Sequence, residues 1–137
     1  MKSAGYSETP LVKKLGIKQG FKIRIINPPE YYFTLLSDLP TDIHQLTNKK
    51  TKKDFIHYFA KTESQLNKDI KQLRQEIEEN GMIWISWPKK AAKIETDLNE
   101  NIIRNIALSN GLVDVKVCAV DEIWSGLKLV IRLKDRK

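Results

Sequence analysis

Hydrophobic residues along the chain follow two spacings, one typical of helices and one typical of strands. Where they recur every third or fourth position, they lie on one face of a helix. The clearest such stretch begins at Thr62, a capping residue with Gln65 three positions later, and should end at Asn80-Gly81. Its apolar stripe consists of Leu66, Ile70, Leu73 and Ile77. We therefore predict a long amphipathic helix between Thr62 and Asn80-Gly81.

Other helices are predicted from the same signals. One is capped near Thr96 and ends at the Asn-Gly pair 110–111. Its stripe consists of Leu98, Ile102 and Ile106. A short leading helix has Thr9 as its cap and Pro10 at its first position, and Gly16 follows its last residue. Residues 1–19 thus form a helical lead-in.

The segment from Asn27 to Leu36 is also predicted to be a helix. Asn27 can cap it, Pro28 fits its first turn, and Glu30 can complete a reciprocal cap. The run up to Tyr31 is similar to the Asn-Pro-Pro-Tyr element of DNA methyltransferases that act on amino groups, but Glu30 interrupts the match. We therefore favour helix capping for this segment.

The strands are predicted from alternating or continuous apolar runs bounded by turn residues. They cover residues 21–26, 43–47, 54–60, 82–88, 113–120 and 127–133. Strands that alternate with helices pair in parallel through right-handed crossovers, and the last two strands should form an antiparallel hairpin. The expected fold is a single α/β domain over residues 1–137, a three-layer α/β/α Rossmann-like sandwich of about six mostly parallel strands.

This order of elements resembles a Rossmann-like methyltransferase fold that lacks one strand and its helix near the front. The resemblance implies the sheet order 2-1-3-4-6-5, with the last strand antiparallel. More closely, residues 84–90 (WISWPKK) and 111–129 (GLVDVKVCAVDEIWSGLKL) are similar to the signatures of a small bacterial family of unknown function. That resemblance implies bacterial origin and a cytoplasmic location, and it carries no activity with it.

The residues that bind cofactors in such folds are missing from their usual places. The turn after the first strand is Asn27-Pro28-Pro29-Glu30, which has no glycine and loses two amide donors to proline. The second strand ends in 47–49 without an acidic residue for a ribose. We expect no cofactor and no S-adenosylmethionine or dinucleotide site of the usual type. The spacing of ligands for a metal is missing as well, so no metal and no catalytic residue is predicted.

Composition describes an ordinary globular chain with a basic surface. The 137 residues are 41% hydrophobic and carry a formal charge of +7, mostly in lysine clusters. This charge favours anionic partners and permits weak nucleic-acid binding, although no recognition helix or aromatic platform is evident. No apolar run approaches the ~20 residues that cross a bilayer, so we expect no membrane partner. His57 and Cys118 lie in apolar runs and are expected to be buried strand residues.

Ligands of open α/β sheets bind beyond the carboxyl ends of the strands. The candidate ligand-binding residues at that edge are Asn27, Lys61, Trp87, Lys89, Lys90, Asp121, Glu122, Trp124 and Ser125. The lysines could meet phosphate or carboxylate groups and Trp124 could stack on a ligand. Equally, the tryptophans could pack helices and the charged residues could form surface ion pairs.

Our first hypothesis is a noncatalytic binding or regulatory module that recognises a small anionic ligand or a protein partner at this edge, because the scaffold is intact and the cofactor loop is missing. The alternatives are an atypical methyltransferase-like transferase and a weak, nonspecific nucleic-acid binder.

Overall fold

The structure, a computed structural model, describes residues 9–136, in which six strands form one mixed sheet. The strands are β1 (Lys22–Ile26), β2 (His44–Gln45), β3 (Lys53–Phe59), β4 (Ile77–Pro88), β5 (Leu112–Ala119) and β6 (Trp124–Ile131). The α-helices are α1 (Leu11–Leu15), α2 (Glu63–Glu76) and α3 (Glu100–Ser109), and short 3₁₀ helices cover Tyr32–Leu35, Lys90–Ala92 and Leu133–Asp135. Residues 1–8 of the predicted lead-in lie outside the described residues.

The sheet has the strand order β2-β1-β3-β4-β6-β5. The first four strands pair in parallel, and β6 runs antiparallel to both of its neighbours. The predicted Rossmann-like α/β fold, its strand order and its antiparallel C-terminal hairpin are therefore confirmed.

Two hydrophobic cores lie on the two faces of the sheet. One face is covered by α2 and α3, which bury residues such as Leu66 and Ile103 against β3, β4 and β6. The other face is covered by α1 and by the 3₁₀ helix Tyr32–Leu35. The indole Nε1 of Trp84 donates to the carbonyl of Leu15 at 2.8 Å, which fixes α1 on the sheet. The second outer layer is thus built from shorter helices than the first.

The helix predicted between Asn27 and Leu36 is mostly absent. Asn27 ends β1 in a left-handed conformation, with φ at 58°, instead of capping a helix. Only the 3₁₀ helix Tyr32–Leu35 forms, after the amide of Tyr32 donates to the carbonyl of Pro29. The buried hydroxyl of Tyr32 bonds to His57 and fixes this turn from a distant part of the chain.

The long helix α2 ends four residues before the predicted Asn80-Gly81 stop. Thr62 caps its first turn as expected, accepting from the amide of Gln65, but Ile77 already belongs to β4. The pairing of β3 with β4 is irregular here, because Lys53 lies opposite Ile77 and Phe55 lies opposite Met82. A Cβ on Gly81 would lie 2.9 Å from the carbonyl of Lys53, so the close approach of the strands requires glycine.

Smaller differences concern where the other elements begin. The helix α3 starts at Glu100, because the side chain of Asn99 caps the amide of Ile102 at 2.9 Å. Its buried residues are Ile103, Ile106 and Ala107, so Ile106 of the predicted stripe is confirmed, while Ile102 is only partly buried and Leu98 is buried before the helix begins. The helix α1 begins at Leu11, one residue after the predicted start at Pro10. The predicted strand 43–47 is reduced to His44–Gln45. No helix within residues 9–136 is long and apolar enough to cross a bilayer.

Candidate functional site

A pocket of about 260 Å³ lies at the carboxyl edge of the sheet. It is bounded by the turn after β1, the ends of β3 and β6 nearest that turn, and the start of α2. The lining residues are Asn27, Pro28, Pro29, Phe59, Lys61, Gln65 and Trp124. The sheet topology therefore brings together residues that are distant in sequence, at the edge where such folds bind ligands.

The apolar wall of this carboxyl-edge pocket is held by aromatic contacts. Phe59 packs against Trp124 edge to face, with ring centroids 5.0 Å apart, and His57 stacks on Phe59 with centroids 4.3 Å apart. Phe59 and Trp124 are both buried. Because these rings are fixed by their neighbours, the wall is already in place before any ligand arrives.

The polar groups of the pocket are an amide and an ammonium. The side chains of Asn27 and Lys61 are exposed, and neither makes a hydrogen bond or ion pair with another described residue. The backbone of Lys61 is fixed, since its carbonyl accepts from the hydroxyl of Thr96 at 2.6 Å and its amide donates to Gln65 at 3.4 Å. The pocket thus has an apolar wall and two polar side chains that can rotate towards a ligand.

Three of the predicted site residues line this pocket: Asn27, Lys61 and Trp124. The indole of Trp87 lies elsewhere, in the core under α2 and α3. Ser125 lies within β6, opposite Trp87 of β4. Neither of these two predicted residues lines the pocket.

The charged candidates organise the neighbouring loops. Asp121 accepts from the amides of Ile123 and Trp124 at 2.8 and 2.7 Å and so holds the turn before β6. The amide of Lys89 donates to the carbonyl of Ile123 at 2.7 Å, which ties that turn to the end of β4. Lys90 and Glu122 are exposed on these loops. The role that the geometry gives Asp121 is therefore to position Trp124.

Sequence reasoning missed Phe59 and Gln65 as lining residues. The sequence predicts Phe59 to be a core residue, because β3 is apolar on both faces. Without an alternation of polar and apolar residues, nothing in the sequence shows which side chain lines a pocket. Gln65 is recognisable only as a capping-box residue, although its side chain also bonds to Lys61 and Phe59. Only the order of the strands places these residues beside Asn27.

His57 is buried and fully hydrogen-bonded, as predicted, and does not line the pocket. Its Nδ1 lies 2.8 Å from the hydroxyl of Tyr32 and its Nε2 lies 2.7 Å from that of Ser86. Burial lowers the pKa of His57 to about 3. The imidazole is therefore neutral at physiological pH and acts as a structural group. Cys118 differs from its prediction in being only half-buried.

A second, shallower pocket of about 440 Å³ adjoins the first and shares Lys61 with it. Its other lining residues are Thr62, Ile94, Glu95, Thr96 and Asp97. Within residues 9–136, no group of three or more histidine, cysteine, aspartate or glutamate side chains could hold a metal ion.

No family model matches the chain, and no curated protein matches it significantly. Several solved structures with a similar fold are methyltransferases or complexes with S-adenosylmethionine or S-adenosylhomocysteine. The chain superposes on an S-adenosylmethionine-dependent methyltransferase from Aquifex aeolicus with a TM-score of 0.61 at 15% identity, covering 89% of this chain and 88% of that one.

Two further structures give the same result. The complex of DhpI with S-adenosylhomocysteine aligns with a TM-score of 0.64 at 7% identity, over 90% of this chain and 83% of that one. Magnesium protoporphyrin IX methyltransferase from Synechocystis PCC 6803, with bound S-adenosylmethionine, aligns with a TM-score of 0.57 at 11% identity, over 89% and 74% of the two chains. The chain therefore has a methyltransferase-like Rossmann fold.

Proposed function

We propose that the chain is an atypical methyltransferase-like domain that binds S-adenosylmethionine, or a related adenosyl ligand, in its carboxyl-edge pocket. The observation that carries this proposal is the convergence of Asn27, Lys61 and the Phe59–Trp124 wall at the edge of a sheet whose structural neighbours include complexes with S-adenosylmethionine and S-adenosylhomocysteine. These neighbours favour the transferase alternative over a noncatalytic module.

The size of the pocket suggests how such a ligand would lie. A volume of about 260 Å³ is below the ~300–1,000 Å³ of sites that enclose a drug-sized ligand. The pocket would therefore take the planar adenine against its aromatic and proline walls. The rest of the ligand would extend past Lys61 into the adjoining 440 Å³ pocket, where the ammonium can bind its carboxylate.

The cofactor turn differs from the usual one, and Lys61 offers a physical substitute. Pro28 and Pro29 have no amide hydrogens, so this turn cannot hold an anionic group through backbone donors. A lysine ammonium binds an anion as a point charge and needs no such backbone. No histidine or carboxylate lines the 260 Å³ pocket, and the adjoining pocket holds the carboxylates of Glu95 and Asp97. Methyl transfer would therefore rely mainly on positioning an acceptor that is already nucleophilic.

Isothermal titration of the whole chain with S-adenosylmethionine, S-adenosylhomocysteine and adenosine tests the proposal. We expect all three to bind. The Lys61→Ala variant should bind S-adenosylmethionine about tenfold more weakly, because a charge-assisted contact is lost, while adenosine, which has no carboxylate, should bind as before. A Lys68→Ala variant, which alters an exposed lysine of α2 outside the pocket, serves as the control.

Absence of heat with all three compounds at millimolar concentration would rule the adenosyl proposal out. Equal weakening of adenosine and S-adenosylmethionine by Lys61→Ala would overturn the assignment of Lys61 to the carboxylate.

A noncatalytic module for another small anionic ligand is the second candidate, favoured by the two prolines after β1. The ligand of such a module would contact the same three side chains, Asn27, Lys61 and Trp124. A thermal-shift screen of carboxylates and phosphates that lack adenosine would support it if the stabilising compounds lose their effect in Lys61→Ala.

A further inference from the structure

Four lysines come together on the sheet face that α1 covers, away from the carboxyl-edge pocket. Lys116 of β5 lies directly opposite Lys128 of β6. The ammonium of Lys116 donates to the carbonyl of Lys14 at 3.0 Å, and the ammonium of Lys14 donates to the carbonyl of Ala119 at 3.2 Å. Burial and the charges of Lys116 and Lys18 lower the pKa of Lys128, so Lys18 is also close. We refer to Lys14, Lys18, Lys116 and Lys128 as the lysine patch.

The charge of the lysine patch is not neutralised by an ion pair, although Asp38 lines the same cavity as Lys18. Within residues 9–136, none of its four ammonium groups forms an ion pair, whereas Arg24, Lys53 and Arg104 all do. Like charges directly opposite each other on neighbouring strands destabilise a sheet. An arrangement that repels itself and is not neutralised by an ion pair is relieved by an anion from outside the chain.

We propose that the lysine patch binds the phosphate backbone of a nucleic acid. Cross-strand neighbours have Cβ atoms about 5 Å apart, so the patch suits closely spaced negative charges better than a single carboxylate. Two of the ammonium groups are held by backbone carbonyls, and each keeps further hydrogen atoms for phosphate oxygens. The proposal is independent of the adenosyl site.

The surroundings of the patch favour a nucleic acid over an anionic membrane. Insertion into a bilayer surface needs exposed apolar side chains among the cations. The exposed Val117 of β5 alternates with Lys116 and therefore points to the other face of the sheet. The other exposed apolar residue of β5 is Val115, the extra residue where the register shifts before Lys116, and a single valine is too small an apolar surface for insertion. Among residues 9–136, the exposed large aromatic side chains are Tyr31 and Phe33, which belong to the turn after β1 and not to the elements that carry the four lysines. Binding should therefore depend on phosphates and be insensitive to base sequence.

Fluorescence anisotropy with a short labelled single-stranded DNA tests the proposal. The double variant Lys116→Gln/Lys128→Gln should bind about tenfold more weakly than the parent chain, and the slope of log K against log salt should fall by about 1.4. The matched control is Lys68→Gln/Lys71→Gln, which removes the same charge from the exposed side of α2. It should retain most of the affinity and slope. Both variants should keep the parent's circular dichroism spectrum, because the glutamine amide at position 116 can still donate to the carbonyl of Lys14 and neither lysine belongs to a hydrophobic core.

Equal weakening by the two double variants would overturn the proposal, because binding would then follow net charge and not the patch. An unchanged affinity in Lys116→Gln/Lys128→Gln would overturn it too. If that variant also aggregated, the lysines would serve to keep the edge strand β5 from pairing with other chains. Sedimentation with vesicles that contain phosphatidylserine supplies the membrane arm. If the chain bound vesicles more tightly than DNA and the patch variant lost this binding, the proposed partner would be an anionic membrane and not a nucleic acid.

Discussion

An ionic and a neutral polar cluster are both buried within residues 9–136, and they stabilise different parts of the protein. In the ionic cluster, the carboxylate of Glu76 accepts from Arg24 at 2.6 and 2.7 Å and from Lys53 at 3.0 Å. In the neutral cluster, His57 lies between the hydroxyls of Tyr32 and Ser86. The first fixes the backbone where α2 becomes β4, and the second fixes aromatic rings next to the carboxyl-edge pocket.

The difference between the clusters has a physical cause. Lys53 and Glu76 are both inaccessible to solvent, so each charge depends on the other to offset the loss of hydration. The neutral cluster contains no charge, and its cost of burial is met by two hydrogen bonds. Removing one partner should therefore be far more damaging in the ionic cluster than in the neutral one.

The largest effect is expected for Glu76→Ala, which leaves the ammonium of Lys53 buried without a carboxylate. We expect the free energy of unfolding, measured by urea denaturation, to fall by about 3–5 kcal/mol. Glu78→Ala is the control, because Glu78 and Lys22 form an exposed ion pair at 3.7 Å that should contribute less than about 1 kcal/mol. A loss below about 1 kcal/mol in Glu76→Ala would mean that the ionic cluster is not structural.

Acidification should separate the clusters at mildly acidic pH. Because the folded pKa of His57 is about 3 and the ordinary value is 6.5, only the unfolded chain takes up this proton between those values. The contribution of the neutral His57 to the free energy of unfolding is therefore fully present above pH 6.5. It decreases as the pH drops, by about 2 kcal/mol at pH 5. Burial alone would raise the pKa of Glu76, but hydrogen bonds from Arg24 and Lys53 outweigh it and lower the pKa. Its contribution is accordingly lost only below its ordinary value of 4.5.

Urea denaturation at pH 7 and pH 5 measures this difference, and the chain supplies its own control. His44 is exposed, so His44→Gln should retain the pH dependence, whereas His57→Gln should flatten it. If His44→Gln instead removes the dependence, the buried neutral imidazole is not its source.

The same contrast shows why parts of the fold were predictable from sequence and others were not. The strands β3 and β4 were predicted because long apolar runs are typical of strands covered on both faces. The stop of α2 was missed because Ile77 continues the apolar stripe of the helix. At the last residue of the helix, Glu76 contacts Arg24, 52 residues away in sequence, and the next residue, Ile77, already pairs with Lys53 of β3. A local pattern contains no information about either contact.

The predicted site residues that the structure brings into one pocket are those whose placement depended on topology. Asn27 and Lys61 follow the parallel strands β1 and β3, and Trp124 begins the antiparallel strand β6, so all three lie at the same edge of the sheet. The strand order alone therefore places them together. The prediction of a helix directly after β1 was wrong, because Asn27 followed by Pro28 is compatible both with a helix cap and with a left-handed turn. The contact between Tyr32 and His57, 25 residues apart, favours the turn.

The smallest effect is expected for Tyr32→Phe, which removes one hydrogen bond from the neutral cluster. The ring of Tyr32 packs edge to face on His57 and on Phe59, with centroids 5.3 and 5.5 Å apart, and phenylalanine preserves both contacts. The cost should be about 1 kcal/mol in urea denaturation, since only Nδ1 of His57 loses its partner. Ser86→Ala removes the partner of Nε2 and should cost a similar amount. A loss of 3 kcal/mol or more in either variant would mean that breaking the neutral cluster destabilises the protein as much as breaking the ionic one. The difference between charged and uncharged buried groups would then not account for their contributions to stability.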